Sequence, residues 1–174
     1  MKRNRGFSLL ELLVVMSILA IMAAASAPTL RTTMANARIR TAGESWRSGL
    51  ELARGAAVRL NTSVEFVITD SGWEVTRADD TATKLHQGTG REGNADLTIT
   101  PTPADADRIT FSSFGTPLPA NINGEGPPLT QIDLTADGNV VIEGLKPRRI
   151  QLSASGSARL CDPAAKARAI GACQ

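Results

Sequence analysis

The sequence predicts an α+β protein: one long N-terminal α-helix, transmembrane in its first half, packed on an antiparallel β-sheet head. Three features carry that expectation. Residues 7–27 form an apolar run interrupted by a single charge, Glu11. Beyond Pro28, apolar residues recur at helical spacing as far as residue 61. From Ser63 the period shortens to two, and turn residues divide the rest into short segments.

The apolar run would span ~31 Å as a helix, enough to cross a bilayer core. Lys2, Arg3 and Arg5 precede it with no acidic residue among them, so the positive-inside rule keeps that end cytoplasmic. A cleavable secretory signal, cut within Ala23-Ala24-Ala25-Ser26-Ala27, and a plain anchor both fit these features. Neither accounts for Glu11. A carboxylate inside the bilayer costs roughly 2.5–3.5 kcal/mol on insertion scales, so it should face a partner.

After Pro28 the apolar stripe is Leu30, Met34, Ala37, Ala42, Trp46, Leu50, Ala53, Ala57 and Leu60. Arg31, Arg38, Arg40, Arg47, Arg54 and Arg59 fall mostly off it. The whole helix would be ~80 Å long and bent near Pro28. Strands are expected at 64–68, 73–77, 84–87, 97–100, 108–112, 129–135, 139–143, 149–154 and 158–160. Ser71-Gly72 and Ala136-Asp137-Gly138-Asn139 read as turns. Residues 115–128, with four Pro and three Gly, read as a loop.

Composition narrows the function. In 174 residues, 42% hydrophobic and 21% charged content excludes a disordered chain. Aromatics at 3%, with no Tyr, exclude a stacking platform for single-stranded nucleic acid. One His and two Cys exclude most multi-ligand zinc sites. Gly88-Thr89-Gly90-Arg91-Glu92-Gly93 matches a dinucleotide-binding spacing, but loop and strand follow where a helix is required. His86 lacks a nucleophile-elbow serine. Asp79-Asp80 and the Asp105, Asp107 pair lack a calcium-loop frame. Asn61-Thr62-Ser63 is an incidental sequon.

Arg5-Gly6-Phe7-Ser8-Leu9-Leu10-Glu11-Leu12 resembles the class III signal of type IV pilins and type II secretion pseudopilins. The resemblance implies that prepilin peptidase cuts between Gly6 and Phe7 and that Phe7 is N-methylated. It implies that Glu11 pairs with the N-terminal amine of a neighbouring subunit. A buried carboxylate and a buried ammonium each lower the other's cost. The chain then divides into a leader (1–6), a transmembrane and filament-core helix (7–28), an amphipathic continuation (29–61) and a β-rich head (62–174). Pro28 falls where that family often carries a helix-softening proline.

Within the head, Leu52-Ala53-Arg54, Gly72-Trp73, Ile109-Thr110-Phe111 before Gly115, and Arg149-Ile150-Gln151-Leu152 before Gly156 resemble the GspH/FimT group of pseudopilins and minor pilins. That resemblance implies a pilin-like fold, no catalytic residues, no cofactor and no metal. It implies a minor pilin of a type IV pilus, FimT-like, that acts in pilus biogenesis and in DNA binding and uptake. The expected partners are other pilins, prepilin peptidase, the inner membrane and double-stranded DNA. The expected location is single-pass in a bacterial inner membrane with the head in the periplasm, then in a filament or at the cell surface. The alternatives are a GspH-like pseudopilin of a type II secretion system and, from another class, a membrane-anchored periplasmic enzyme.

Charge is segregated. Residues 61–144 carry a net −9, residues 29–60 a net +4 and residues 145–174 a net +5; without the leader the chain nets −1. Lys146, Arg148, Arg149, Arg159, Lys166 and Arg168 are candidate contacts to DNA phosphates. The other reading pairs these cations with acidic neighbours, within one subunit or between subunits. Cys161 and Cys173 are expected to bridge in an oxidising compartment, closing a tail that resembles the C-terminal loop of many type IV pilins.

Overall fold

A computed structural model describes residues 8–89, 97–124, 126–136, 144–166 and 168–173, with backbone alone for 25–28. Helix α1 runs Leu9–Leu60. Ser8 caps its start, its Oγ accepting the Glu11 N–H at 3.2 Å. Asn61 ends it in the left-handed region at φ 49, its amide donating to the Ala57 and Val58 carbonyls. The parts Leu9–Ala24 and Thr29–Leu60 are inclined by 41°, a bend that brackets Pro28. Among the described residues no single helix is long and apolar enough to cross a membrane, but the two parts together pass by length and composition.

Eight strands follow: β1 (Val64–Thr69), β2 (Gly72–Arg77), β3 (Lys84–Gly88), β4 (Leu97–Thr102), β5 (Arg108–Phe111), β6 (Gln131–Ala136), β7 (Arg148–Leu152) and β8 (Ala158–Cys161). They form two four-stranded sheets, ordered β3-β2-β1-β5 and β4-β6-β7-β8. Every pairing is antiparallel. Each matches an expected strand, with ends moved by a residue or two. The expected strand at 139–143 and turn residues 137–139 lie outside the described residues, as do 90–93 of the glycine-rich motif.

Both sheets lay their apolar faces on α1. Ile39, Ala42, Trp46, Leu50, Ala53 and Ala57 are buried there. The expected stripe is therefore right in its middle and wrong at its ends. Leu30, Met34, Ala37 and Leu60 are exposed because the head covers the helix only from about Ile39 to Ala57. Trp46 meets Phe66 edge-on at 6.0 Å, and Phe66 stacks on Trp73 at 5.8 Å. Two helix glycines let the sheets approach, one under each sheet. A Cβ at Gly49 would fall 2.7 Å from the Trp73 ring, and one at Gly43 would fall 2.8 Å from Leu160 Cδ1.

The outer face of the first sheet holds a buried polar row, Thr76, Glu65 and Thr110, aligned across β2, β1 and β5. The 115–128 loop covers it. Glu65 Oε1 accepts from Thr110 Oγ1 and from the Asn123 amide, both at 3.0 Å, and Oε2 accepts from Asn123 Nδ2 at 3.1 Å. Arg108 Nη1 lies 3.7 Å from the same carboxylate, and its other nitrogens grip Asp107 at 3.0 and 2.8 Å. That grip holds the Asp107 carboxyl below the ordinary carboxylate range. Glu65 thus ties a loop rich in Pro and Gly to the sheet.

Removing this carboxylate leaves buried donors unpaired. Glu65→Ala is expected to lower unfolding free energy by about 3 kcal/mol, and Glu65→Gln by about half as much. Tryptophan fluorescence during urea unfolding of the detergent-solubilised chain checks both. Equal loss in the two variants would contradict the role assigned to the carboxylate.

Candidate functional site

Glu11 sits in the first turn of α1, where the helix dipole favours a negative charge. Leu12, Val15 and Met16 line a shallow recess beside it. The surrounding apolar side chains are exposed: Leu9, Leu10, Leu13, Ile18, Ile21 and Met22 are all more than half accessible. A run this apolar with no cover requires lipid or another helix. Glu11 makes no ion pair among the described residues. Gly6 and Phe7 lie outside the described residues.

At the other end of the chain, Cys161 and Cys173 are bonded, with Cα atoms 5.0 Å apart. The loop between them is closed a second time by backbone bonds from Asp162 N to Gly171 O at 2.8 Å and from Cys173 N to Asp162 O at 3.3 Å. Lys166, Arg168 and Ile170 stand exposed on it.

The six candidate cations do not all share one face, because Arg148 and Arg149 alternate across the second sheet. Arg149 Nε and Nη2 reach Asp133 Oδ1 and Oδ2 at 2.6 and 3.0 Å on the outer face of the second sheet. That bidentate pair raises the Arg149 pKa and cancels its charge toward any anion. Arg148 Nη1 lies 3.7 Å from Asp162 Oδ2 on the helix-facing side. Arg159 is opposite Gln151 on the outer face. Lys166 and Arg168 are on the bridged loop, and Lys146 is beside the helix. Arg159, Lys166, Arg168 and Lys146 make no side-chain ion pair among the described residues.

One residue absent from the sequence reading organises this region. Asn36 donates from Nδ2 to the Gly144 carbonyl at 3.1 Å and accepts the Lys146 amide on Oδ1 at 2.8 Å. Nothing in the local sequence signals a helix asparagine that clamps the segment before β7, more than a hundred residues away. A groove of about 550 Å³ between Pro103, Pro117, Pro119, Pro127 and Leu129 contains no titratable side chain. His86 lies on edge strand β3. Among the described residues no group of three His, Cys, Asp or Glu is placed to hold a metal.

A helix that is bare and apolar in one half and sheathed by antiparallel sheets in the other defines the pilin class of fold. Sequence comparison then gives the family. Residues 1–27 match the prokaryotic N-terminal methylation motif, and residues 42–169 match the family described as type II transport protein GspH. The chain belongs to the GspH family. Two crystal structures of the type IV minor pilin FimU from Pseudomonas aeruginosa share the fold. One aligns at TM-score 0.53 and 21% identity, covering 70% of this chain and 87% of that one. The other aligns at TM-score 0.50 and 20% identity, covering 70% and 90%. No curated protein matches the sequence. The family and fold are those of structural pilins rather than enzymes.

The disulfide makes a direct prediction. Closing a loop of this length stabilises by roughly 3 kcal/mol on the chain-entropy account. Cys161→Ser/Cys173→Ser should melt lower than the parent chain, and reductant should bring the parent down to the same midpoint. Identical melting with and without reductant would show that the bridge contributes nothing.

Proposed function

We propose that this protein is a minor pilin of a type IV pilus. Prepilin peptidase removes residues 1–6 and Phe7 becomes the methylated N-terminus. The subunit waits in the inner membrane with its head in the periplasm. It then joins the filament through its bare helix, with Glu11 meeting the N-terminal ammonium of a neighbour. The observation that carries this reading is the division of α1 into an uncovered apolar half bearing Glu11 and a half enclosed by the head. The FimU likeness and the bridged tail support a pilus. The description of the family as a type II transport protein supports the second reading, a pseudopilus subunit, and both machines use the same helix.

The finer reading, contact between the head and duplex DNA during uptake, now rests on fewer residues. Arg148 and Arg149 are engaged by Asp162 and Asp133. Of the unpaired cations, Arg159, Lys166 and Arg168 remain for phosphates, without base readout, and Lys146 stands apart beside the helix. Replacing these three together should abolish DNA binding on the order of tens of micromolar at low salt. Binding that survives the triple change would move the contact elsewhere, and no binding by the parent protein would remove DNA from the account.

For assembly, the mass of the membrane-extracted protein should correspond to a chain starting at methylated Phe7. Glu11→Ala should insert into the membrane normally yet fall at least several-fold in sheared filaments. A chain beginning after Ala27, or undiminished incorporation of the variant, would contradict the proposal.

A further inference from the structure

The lower edge of the head meets the helix just above the apolar run. Asn36 clamps Gly144 and Lys146, and Thr32 Cγ2 would lie 3.4 Å from a Cβ at Gly144. At 1.5 Å per residue, residues 32–36 stand about 6–12 Å beyond Pro28. The 41° inclination of Thr29–Leu60 to Leu9–Ala24 lowers that rise to about 1.1 Å per residue along the first part's axis. The headgroup layer is about 5–8 Å deep on each side, and charge is felt over roughly another 8–10 Å in physiological salt. Residues 29–40 and 144–148 therefore fall within reach of lipid headgroups, on the reading that residues 7–28 span the membrane.

This zone is basic and partly apolar. Residues 29–43 hold Arg31, Arg38 and Arg40 and no acidic residue, and Lys146 adds a fourth cation at the clamp. In sequence, Asp137 and Glu143 precede Gly144, two acids against these four cations. Leu30 and Met34 are 60% and 49% exposed. With Arg31 and Arg38 they share the helix face turned away from the head. An exposed face that mixes apolar and arginine side chains next to a span suits a membrane interface. The arginines also lie on the translocated side, where the positive-inside rule leads to no excess of them. Arg31, Arg40 and Lys146 find no carboxylate partner among the described residues.

We propose that the unassembled subunit rests this edge on anionic phospholipid headgroups. Arg31, Arg40 and Lys146 contact the headgroups, and Leu30 and Met34 dip into the interface. Lipid contact holds the stored subunit close to the bilayer, and extraction into a filament breaks it. Arg159 faces away on the outer sheet and takes no part.

The test uses the full chain reconstituted in vesicles of phosphatidylcholine alone or with 30% phosphatidylglycerol. Acetylation of Lys146 is followed by peptide mapping, with Lys84 as the internal reference. Anionic vesicles should slow Lys146 modification at least threefold relative to Lys84, and high salt should restore it. Arg31→Gln/Arg40→Gln should lose most of that protection while remaining carbonate-resistant in the membrane. Equal modification in both vesicles overturns the proposal. So does protection of Lys146 by duplex DNA but not by anionic lipid, or protection only in isolated filaments, which would make the edge a subunit contact. A chain that carbonate extracts from either vesicle would instead refute the membrane-spanning reading on which the proposal rests.

Discussion

The head depends on how closely two sheets can approach one helix. Trp46 is fully buried against Phe66, and the helix positions within a turn of it include Ala42, Gly43 and Gly49. A glycine in a helix interior costs about 1 kcal/mol relative to alanine. Here that cost secures the stacking of Trp73 on Phe66 directly against the helix backbone. With the helix thin at this point, the first sheet packs through Phe66, Trp73 and Val75 and the second through Ile132, Leu134 and Ile150. The two sheets then bury their apolar faces on a single element.

That arrangement determines what the first half of the helix can do. The apolar core reaches only as far down the helix as Ile39, with the Asn36 clamp just below it, and the run from Leu9 to Ala24 is left for lipid or for other helices. The outer faces of the sheets are left to polar work. On the first sheet, Glu65 and Asn123 hold the Pro/Gly loop in place. On the second, Arg149 and Asp133 neutralise each other and leave Arg159 as the outward cation.

Much of this was legible in the residues. The change of period at Ser63 located the strands because alternation follows directly from burial on one face. The Gly6, Phe7 and Glu11 spacing pointed to the N-terminal methylation motif, and residues of the head to the GspH family, that the sequence comparison then gave. Other features depend on contacts between distant residues and have no local signal. Glu65 looks like an ordinary outward residue of an alternating strand until the loop is seen to cover it. Leu30 and Met34 continue a core-like stripe, yet the head stops short of them. The basic residues near the C-terminus form a cluster in sequence. Strand alternation sends Arg148 and Arg149 to opposite faces, so the cluster is split between the two faces of the sheet.

The central claim is that the uncovered half of α1 is a contact surface between subunits. A photo-crosslinking amino acid in place of Met16, introduced in cells that assemble filaments, tests it most directly. The account predicts an adduct to a second pilin-type chain, captured through that chain's own N-terminal helix and reduced when Glu11 is replaced by Ala. Adducts to lipid alone, or to the same chain's head, would contradict it.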